Sequence, residues 1–228
     1  MPIILSIETS TKGCSAAIHQ DGKLLSISEL SHEKSSSGML TTLINHVVKV
    51  ASLTFQNLDA IAVAKGPGSY TGLRIGVSTA KGLCFTLEKP LIAVNTLESM
   101  ALGLSHFDSS YLLCPMLDAR RMEVYCAVYQ SVTLNEVEPT QAKIIDETSF
   151  SDLLQNNKII FFGDGAEKCK ATLGVNPNVI FLNGNQYPSA KYVGILATKA
   201  FGMNQFENVA DFEPYYLKEF MTTTPKKK

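Results

Sequence analysis

The chain has no tryptophan and no surplus of either charge: 20 Lys+Arg stand against 21 Asp+Glu, a formal net charge of −1 over 228 residues. A protein that grips nucleic acid directly carries a basic patch or stripe, and the sequence offers only the lysine run 226–228. The balance lowers the expectation of direct nucleic-acid contact, although charge gathered on a folded face is not visible in composition. No run approaches the ~18 apolar residues that a membrane span needs, and the N-terminus lacks the charged segment and long apolar stretch of an export signal. The five cysteines, Cys14, Cys84, Cys114, Cys126 and Cys169, are odd in number and form no C-x-x-C. Four lie in apolar runs, where a reduced thiol behaves as a small hydrophobe. Together these absences point to a reducing cytoplasm and no membrane contact. The histidines His19, His32, His46 and His106 form neither H-x-x-H nor H-x-x-x-H, so they read as surface or turn residues and no metal site is expected. There is no G-x-S-x-G elbow, and no cysteine has a histidine beside it; Cys84 and Cys126 read as core.

What is present is apolar periodicity: 45% of the residues are hydrophobic, enough for one large domain or two small lobes. Ile3–Glu8, Cys14–Gln20 and 23–29 are strand-like, with Asp21-Gly22 as a two-residue hairpin turn. A serine among 35–37 can cap a helix in which Met39, Leu40, Leu43, Ile44, Val47, Val48 and Ala51 recur at helical spacing. A buried strand at 59–64 runs into Gly66-Pro67-Gly68, followed by a helix at Tyr70–Leu87, a strand at 90–94 and a helix from Thr96. The order then repeats. Tyr111–Asp118 and 123–129 are strands, with a weaker one at 143–146. A helix at 150–156, a strand at Lys158–Phe162, the break Gly163-Asp164-Gly165, a helix at 166–173, a strand at 179–182 and a helix at 189–202 complete it. The fold class is therefore α/β, a duplicated β-β-β-α-β-α unit, the layout of the two-lobed actin-like ATPase (ribonuclease H-like) fold. The expected division is an N-terminal lobe at 1–105, a C-terminal lobe at 106–220 whose last helix is free to pack back on the first lobe, and a disordered tail at 221–228.

The strongest local signal is the segment from Lys65 to Gly76, KGPGSYTGLRIG. Glycines between a strand and a helix let the backbone approach a ligand, and the first N–H groups of the helix form an anion site. A tight turn with close helix packing explains the same glycines. Neither G-x-x-x-x-G-K-[ST] nor G-x-G-x-x-G is met, and on physical grounds alone packing stands ahead.

As strings, three segments resemble the TsaB (YeaZ) family: Ile7-Glu8-Thr9-Ser10, the run from Gly66 to Gly76, and the run from Asp118 to Tyr125. Weaker matches are Gly163-Asp164-Gly165 and Pro214-Tyr215-Tyr216-Leu217. The resemblance spans roughly 1–220. It implies the two-lobed fold, a cytoplasmic role with TsaC, TsaD and TsaE in forming threonylcarbamoyladenosine on tRNA, and descent from a common ancestor with the catalytic subunit TsaD. TsaD proteins carry Asn-His-x-x-Gly-His after a strand, with both histidines on a metal. Here the stretch is Asn95-Thr96-Leu97-Glu98-Ser99-Met100, a hydroxyl and a thioether in place of imidazoles, and both are poor partners for a hard ion. Lys12 and Gly13 stand where TsaD has acidic residues.

The resemblance implies a non-catalytic scaffold with no catalytic residues and no cofactor. It would bind a TsaD-like subunit, help recruit a TsaE-like ATPase, meet tRNA only through the complex, and form a homodimer when alone. TsaB proteins pair through two first-lobe helices, so the expected interface is Met39, Leu40, Leu43, Ile44, Val47, Leu73, Gly76, Val77 and Ala80; the alternative is that all of these are core. Glu8, Thr9, Ser10, Gly66, Gly68, Asp118 and Arg120 are the candidate residual nucleotide or anion cleft, with weak nucleotide binding left open. Asp118 has a plainer reading, bonded to its own turn and paired with an arginine. The competing function is a small-molecule kinase or ATPase of the same fold, which needs acidic groups for Mg·ATP; Glu8 and Asp118 are its candidates. A metallopeptidase lacks ligands.

Overall fold

The computed structural model describes all residues except 32–35, 107, 185 and 219–228, and for 36 and 37 the backbone alone. The expected tail at 221–228 and part of the serine cap therefore lie outside the described residues. Among the described residues, ten strands form two five-stranded sheets. The first holds β1 (Ile3–Glu8), β2 (Cys14–Gln20), β3 (Lys23–Leu30), β4 (Ala60–Gly66) and β5 (Leu91–Asn95), in the order β3-β2-β1-β4-β5. The second holds β6 (Tyr111–Asp118), β7 (Glu123–Gln130), β8 (Glu136–Ile144), β9 (Lys158–Phe162) and β10 (Val179–Phe181), in the order β10-β9-β6-β7-β8. Read from β8, this repeats the first sheet strand for strand. Three antiparallel strands come first, and two parallel strands follow on the other side of β1 or β6. The two-lobed actin-like architecture is present.

Among the described residues, six α-helices cover the sheets: α1 (Ser36–Val50), α2 (Tyr70–Leu87), α3 (Thr96–Leu102), α4 (Ser151–Leu154), α5 (Lys170–Leu173) and α6 (Ala190–Gly202). β1 is buried on both faces, which is why it reads as a continuous apolar run. Leu5 and Ile7 join Leu40, Leu43, Ile44, Val47, Val77 and Ala80 in the layer under α1 and α2. Ile4 joins Ala60, Ala62, Val193 and Leu196 in the layer under α6. Leu97, Met100 and Ala101 of α3 pack on Leu113, Leu117, Ile160 and Phe162 of the second sheet. Each half thus lends its last helix to the junction between the halves, and α3 and α6 touch each other there.

Several elements differ from the sequence expectation. β8 is nine residues long rather than the short stretch at 143–146. It is an edge strand with a half-wet face and Pro139 inside it, so apolar alternation is weak. The helix expected at 166–173 divides into a 3-10 turn at Glu167–Cys169 and the single turn of α5. The helix expected at 150–156 shrinks to α4: Phe150, left-handed at φ 65°, stands before its first turn, and the helix ends at Leu154. His19 is neither a surface nor a turn residue: it lies on β2, fully buried beneath α6. A Cβ at Gly194 would collide with its ring, so the glycine is what lets α6 close over the imidazole. Burial holds the His19 ring neutral, its pKa lowered to about 4. His46 and His106 are exposed, and His32 lies outside the described residues.

Candidate functional site

The glycine-rich turn after β4 is filled from within the chain. Cβ atoms built at Gly68 and Gly72 would collide with the backbone oxygens of Ser10 and Thr9, and one at Gly76 with the Thr9 hydroxyl. Thr9 and Ser10, both buried, therefore occupy the hollow that these glycines open. The Thr9 hydroxyl donates to the Gly72 carbonyl at 2.8 Å, and the Ser69 N–H donates to the Ser10 carbonyl at 2.6 Å. At the start of α2 the Gly72 N–H goes to Ser69 Oγ at 3.3 Å and the Leu73 N–H to the Ser69 carbonyl at 2.8 Å. Two of the donors that this helix N-terminus would offer an anion, the Ser69 and Gly72 N–H groups, are thus spent at home. Gly66 has φ 109°, a conformation open to glycine, and the chain after α6 crosses over it. The Tyr215 N–H donates to the Lys65 carbonyl at 2.7 Å, and the rings of Tyr216 and Tyr70 lie 5.0 Å apart.

The second lobe repeats the device. A Cβ at Gly163 would collide with the Met116 carbonyl, and the Gly165 N–H donates to that same oxygen at 3.0 Å. The neighbouring β6–β7 hairpin turns through Arg120 and Arg121, both at positive φ. Asp118 Oδ1 accepts the Arg120 N–H at 3.0 Å and pairs with Lys168, not with an arginine as the plain reading had it. Lys168 also donates to the Glu123 carbonyl at 2.7 Å, and Glu123 pairs with Lys218 of the crossing segment. Sequence reasoning singled out Pro214-Tyr215-Tyr216-Leu217 only as a weak family match and missed the crossing. Val209 and Phe212 pack on the first core, and the Glu207 N–H bonds the Leu91 carbonyl at 2.9 Å. Its spaced aromatics follow no helix or strand period, so only its pairing with both lobes reveals it.

Of the seven cleft residues, Glu8, Thr9 and Ser10 are buried at the end of β1, Gly66 and Gly68 are packed, and Asp118 and Arg120 are exposed on the hairpin. Glu8 Oε1 accepts the Ser10 N–H at 2.5 Å, and Oε2 and the Ser10 hydroxyl are closed to solvent beside it. Burial pushes the Glu8 carboxyl up to about 7 against the hydrogen bonds from Ser10 and Thr9. Glu8 lines a cavity of about 250 Å³ bounded by the β1–β2 loop, the end of β3 and the segment Tyr187-Pro188-Ser189.

The outer face of α1 and α2 differs from the set expected. Leu40, Leu43, Ile44, Val47, Leu73, Gly76, Val77 and Ala80 are all buried inside the chain, and only Met39 reaches solvent. Buried side chains cannot meet a partner without unpacking the lobe, so these eight are core. Solvent is met instead by Met39, Thr42, His46 and Val50 along α1, and by Ser78, Gly82 and Phe85 along α2. Phe85 is 83% exposed and Val50 59%. Both helices connect parallel strands of one sheet, so they run in the same direction and Val50 and Phe85 lie at the same end of the pair.

Comparison with known proteins places these features in a family. Residues 29–211 match the model described as "TsaD: tRNA N6-adenosine threonylcarbamoyltransferase". The tRNA threonylcarbamoyladenosine biosynthesis protein TsaB of Escherichia coli K12 is 29% identical over 219 residues, 94% of each chain. That of Bacillus subtilis 168 is 37% identical over 140 residues, 60% of each. The structure of YeaZ from Pseudomonas aeruginosa superposes with a TM-score of 0.82 at 23% identity, covering 95% of this chain and all of that one. The chain belongs to the TsaD family, in its TsaB (YeaZ) branch.

For a TsaB-branch chain the segment after β5 is informative. Asn95 caps α3, its Oδ1 accepting the Leu97 N–H at 2.8 Å, and its amide reaches Thr140 of the other lobe at 2.8 Å. Thr96 and Met100, where the resemblance puts the TsaD histidines, are both buried; Met100 packs in the layer between α3 and the second sheet. Asn95 thus ties the two lobes together.

Proposed function

We propose that this chain works in tRNA threonylcarbamoyladenosine biosynthesis as a non-catalytic subunit that binds a TsaD-like transferase and helps recruit a TsaE-like ATPase. tRNA is met through that complex, and a second copy takes the partner's place when the chain is alone. The observation that carries the reading is at α3: Thr96 and Met100 are closed inside the molecule, where the resemblance puts the metal-binding histidines of the transferase. The docking surface is the outer face of α1 and α2, centred on Val50 and Phe85, because two large apolar side chains exposed at the same end of the helix pair gain from being covered by a partner. The kinase alternative has one point in its favour, the cavity beside Glu8. Against it stand the glycine turn filled by Thr9 and Ser10 and the pairing of Asp118 with Lys168. The test is transfer of threonylcarbamoyl to tRNA. The chain alone is expected to give none and to stimulate its own organism's transferase; transfer by the chain alone refutes the reading.

A further inference from the structure

Two consecutive arginines turn the β6–β7 hairpin where the backbone disfavours them. Arg120 has φ 69° and Arg121 φ 48°, a left-handed conformation that glycine and asparagine adopt easily and long side chains resist. Both residues are exposed, and among the described residues neither side chain enters an ion pair. The acids beside them are already taken, Asp118 by Lys168 and Glu123 by Lys218. Folding thus gives no reason for arginine at either position, and strain kept at a surface turn points to use.

The chain after α6 joins this hairpin to an aromatic surface. Lys218 lies at most about 7 Å of chain beyond Tyr216. Tyr215 and Tyr216 are 40% and 37% exposed. Tyr215 is anchored by its N–H on the Lys65 carbonyl. Tyr216 leans on Tyr70, whose ring carries the Arg74 guanidinium 5.4 Å from its centre. Exposed rings on a held backbone lose little freedom when a ligand stacks on them. Outside the ion pairs, the charges on this surface are Arg74, Arg120 and Arg121 against Glu213. Lys65 feels Glu98, and Lys12 feels Asp164. Residues 219–228, which follow in sequence, add Glu219 against Lys226, Lys227 and Lys228. The surface is cationic in a chain of formal net charge −1.

Guanidinium groups beside exposed rings fit a polyanion with flat faces. Single-stranded RNA offers both, phosphates for the arginines and unstacked bases for the tyrosines. A duplex hides its bases, and an acidic polypeptide offers carboxylates without the flat faces. We propose that this surface binds single-stranded RNA, with Arg120 and Arg121 holding phosphates and Tyr215 and Tyr216 stacking on bases. On the reading that the complex handles tRNA, on which this rests, the chain takes a direct part in holding the RNA. Tyr70 and Phe85 stand near opposite ends of α2, about 22 Å apart at 1.5 Å per residue, so the surface stays free when the far end of the helix pair is docked.

The test is fluorescence anisotropy of the full chain with an RNA hairpin bearing a single-stranded loop, against a blunt RNA duplex and polyglutamate. The hairpin should bind saturably and about tenfold tighter than the duplex, and polyglutamate should not compete. Arg120→Asn combined with Arg121→Gly suits the left-handed backbone, so Tm should hold or rise. Hairpin affinity should nevertheless fall, and its log–log salt slope should become shallower by about 1.4, at about 0.7 for each phosphate contact. Tyr215→Ala should weaken hairpin binding about tenfold with the slope unchanged. Phe85→Asp, which severs the transferase on the docking account, should bind RNA as the parent does, so the two readings fail separately. No saturable hairpin binding, equal binding of the duplex, competition by polyglutamate, or an affinity unmoved by the arginine exchange would each overturn the proposal.

Discussion

Replacing Gly76 by alanine should destabilise the protein, and the reason lies inside the chain. A mid-helix glycine exchanged for alanine ordinarily gains about 1 kcal/mol. Here the new methyl would collide with the Thr9 hydroxyl, whose Cβ and Cγ2 also lie 3.4 and 3.5 Å away. Thr9 is fully buried and can yield only by giving up its 2.8 Å bond to the Gly72 carbonyl. An unpaired buried hydroxyl costs about 1–3 kcal/mol, and overpacking a core adds about 1–3 kcal/mol. After the helix gain, the net loss is about 1–5 kcal/mol. At about 2–4 °C per kcal/mol for a chain of this size, Tm falls by roughly 2–20 °C. Thr9→Ala removes the hydroxyl and Cγ2 and leaves only the 3.4 Å neighbour. In that background Gly76→Ala should be neutral or stabilising. The assay is a double-mutant cycle by urea unfolding and calorimetry. If Gly76→Ala is equally harmful with and without the Thr9 hydroxyl, the glycine does not serve to seat Thr9.

Two buried ionisable groups bend the pH profile in opposite senses. His19 has a pKa lowered to about 4 by burial, so its contribution is intact above about 6.5 and is lost as pH falls toward 4, about 3 kcal/mol in all. Denaturant titrations at pH 7 and pH 4 should differ less by about that amount in His19→Ala; an unchanged slope refutes it. Glu8 is raised to about 7, so its contribution is intact below about 4.5 and is lost as pH rises toward 7, again about 3 kcal/mol. Glu8→Gln should therefore gain on the parent between pH 4 and pH 8, and a parallel profile would contradict the burial argument. Lys168→Ala removes a partly exposed pair with Asp118 together with a bond to the Glu123 carbonyl. Its cost by chemical denaturation should stay near 1 kcal/mol, and a loss several times larger would mean the hairpin depends on it.

The sequence reveals the parts that are buried on both faces. β1, β2, β6 and β9 have the expected limits because central strands read as unbroken apolar runs. β8 escapes because an edge strand need satisfy only one face. The exchange of α3 and α6 between the sheets is not written in either helix, since an apolar stripe says that a face is covered and not by what. The same ambiguity misplaces the docking residues: Leu43, Ile44 and Val77 are periodic because they are core, whereas Phe85 breaks the period of α2 beside buried Cys84. The cavity at Glu8 joins residues about 160 positions apart, as the bond between Ser189 and Glu29 shows, and no local pattern carries it.

The docking surface is tested most directly by size-exclusion chromatography with light scattering on the chain mixed with its own organism's TsaD-like transferase. Phe85→Asp and Val50→Asp serve as variants, because both side chains lie in solvent and their replacement should leave Tm within a few degrees of the parent. The parent is expected to co-elute with the transferase as one complex, and each folded variant is expected to elute apart from it. Separate elution of the parent, or complexes of undiminished strength with both variants, would contradict the account.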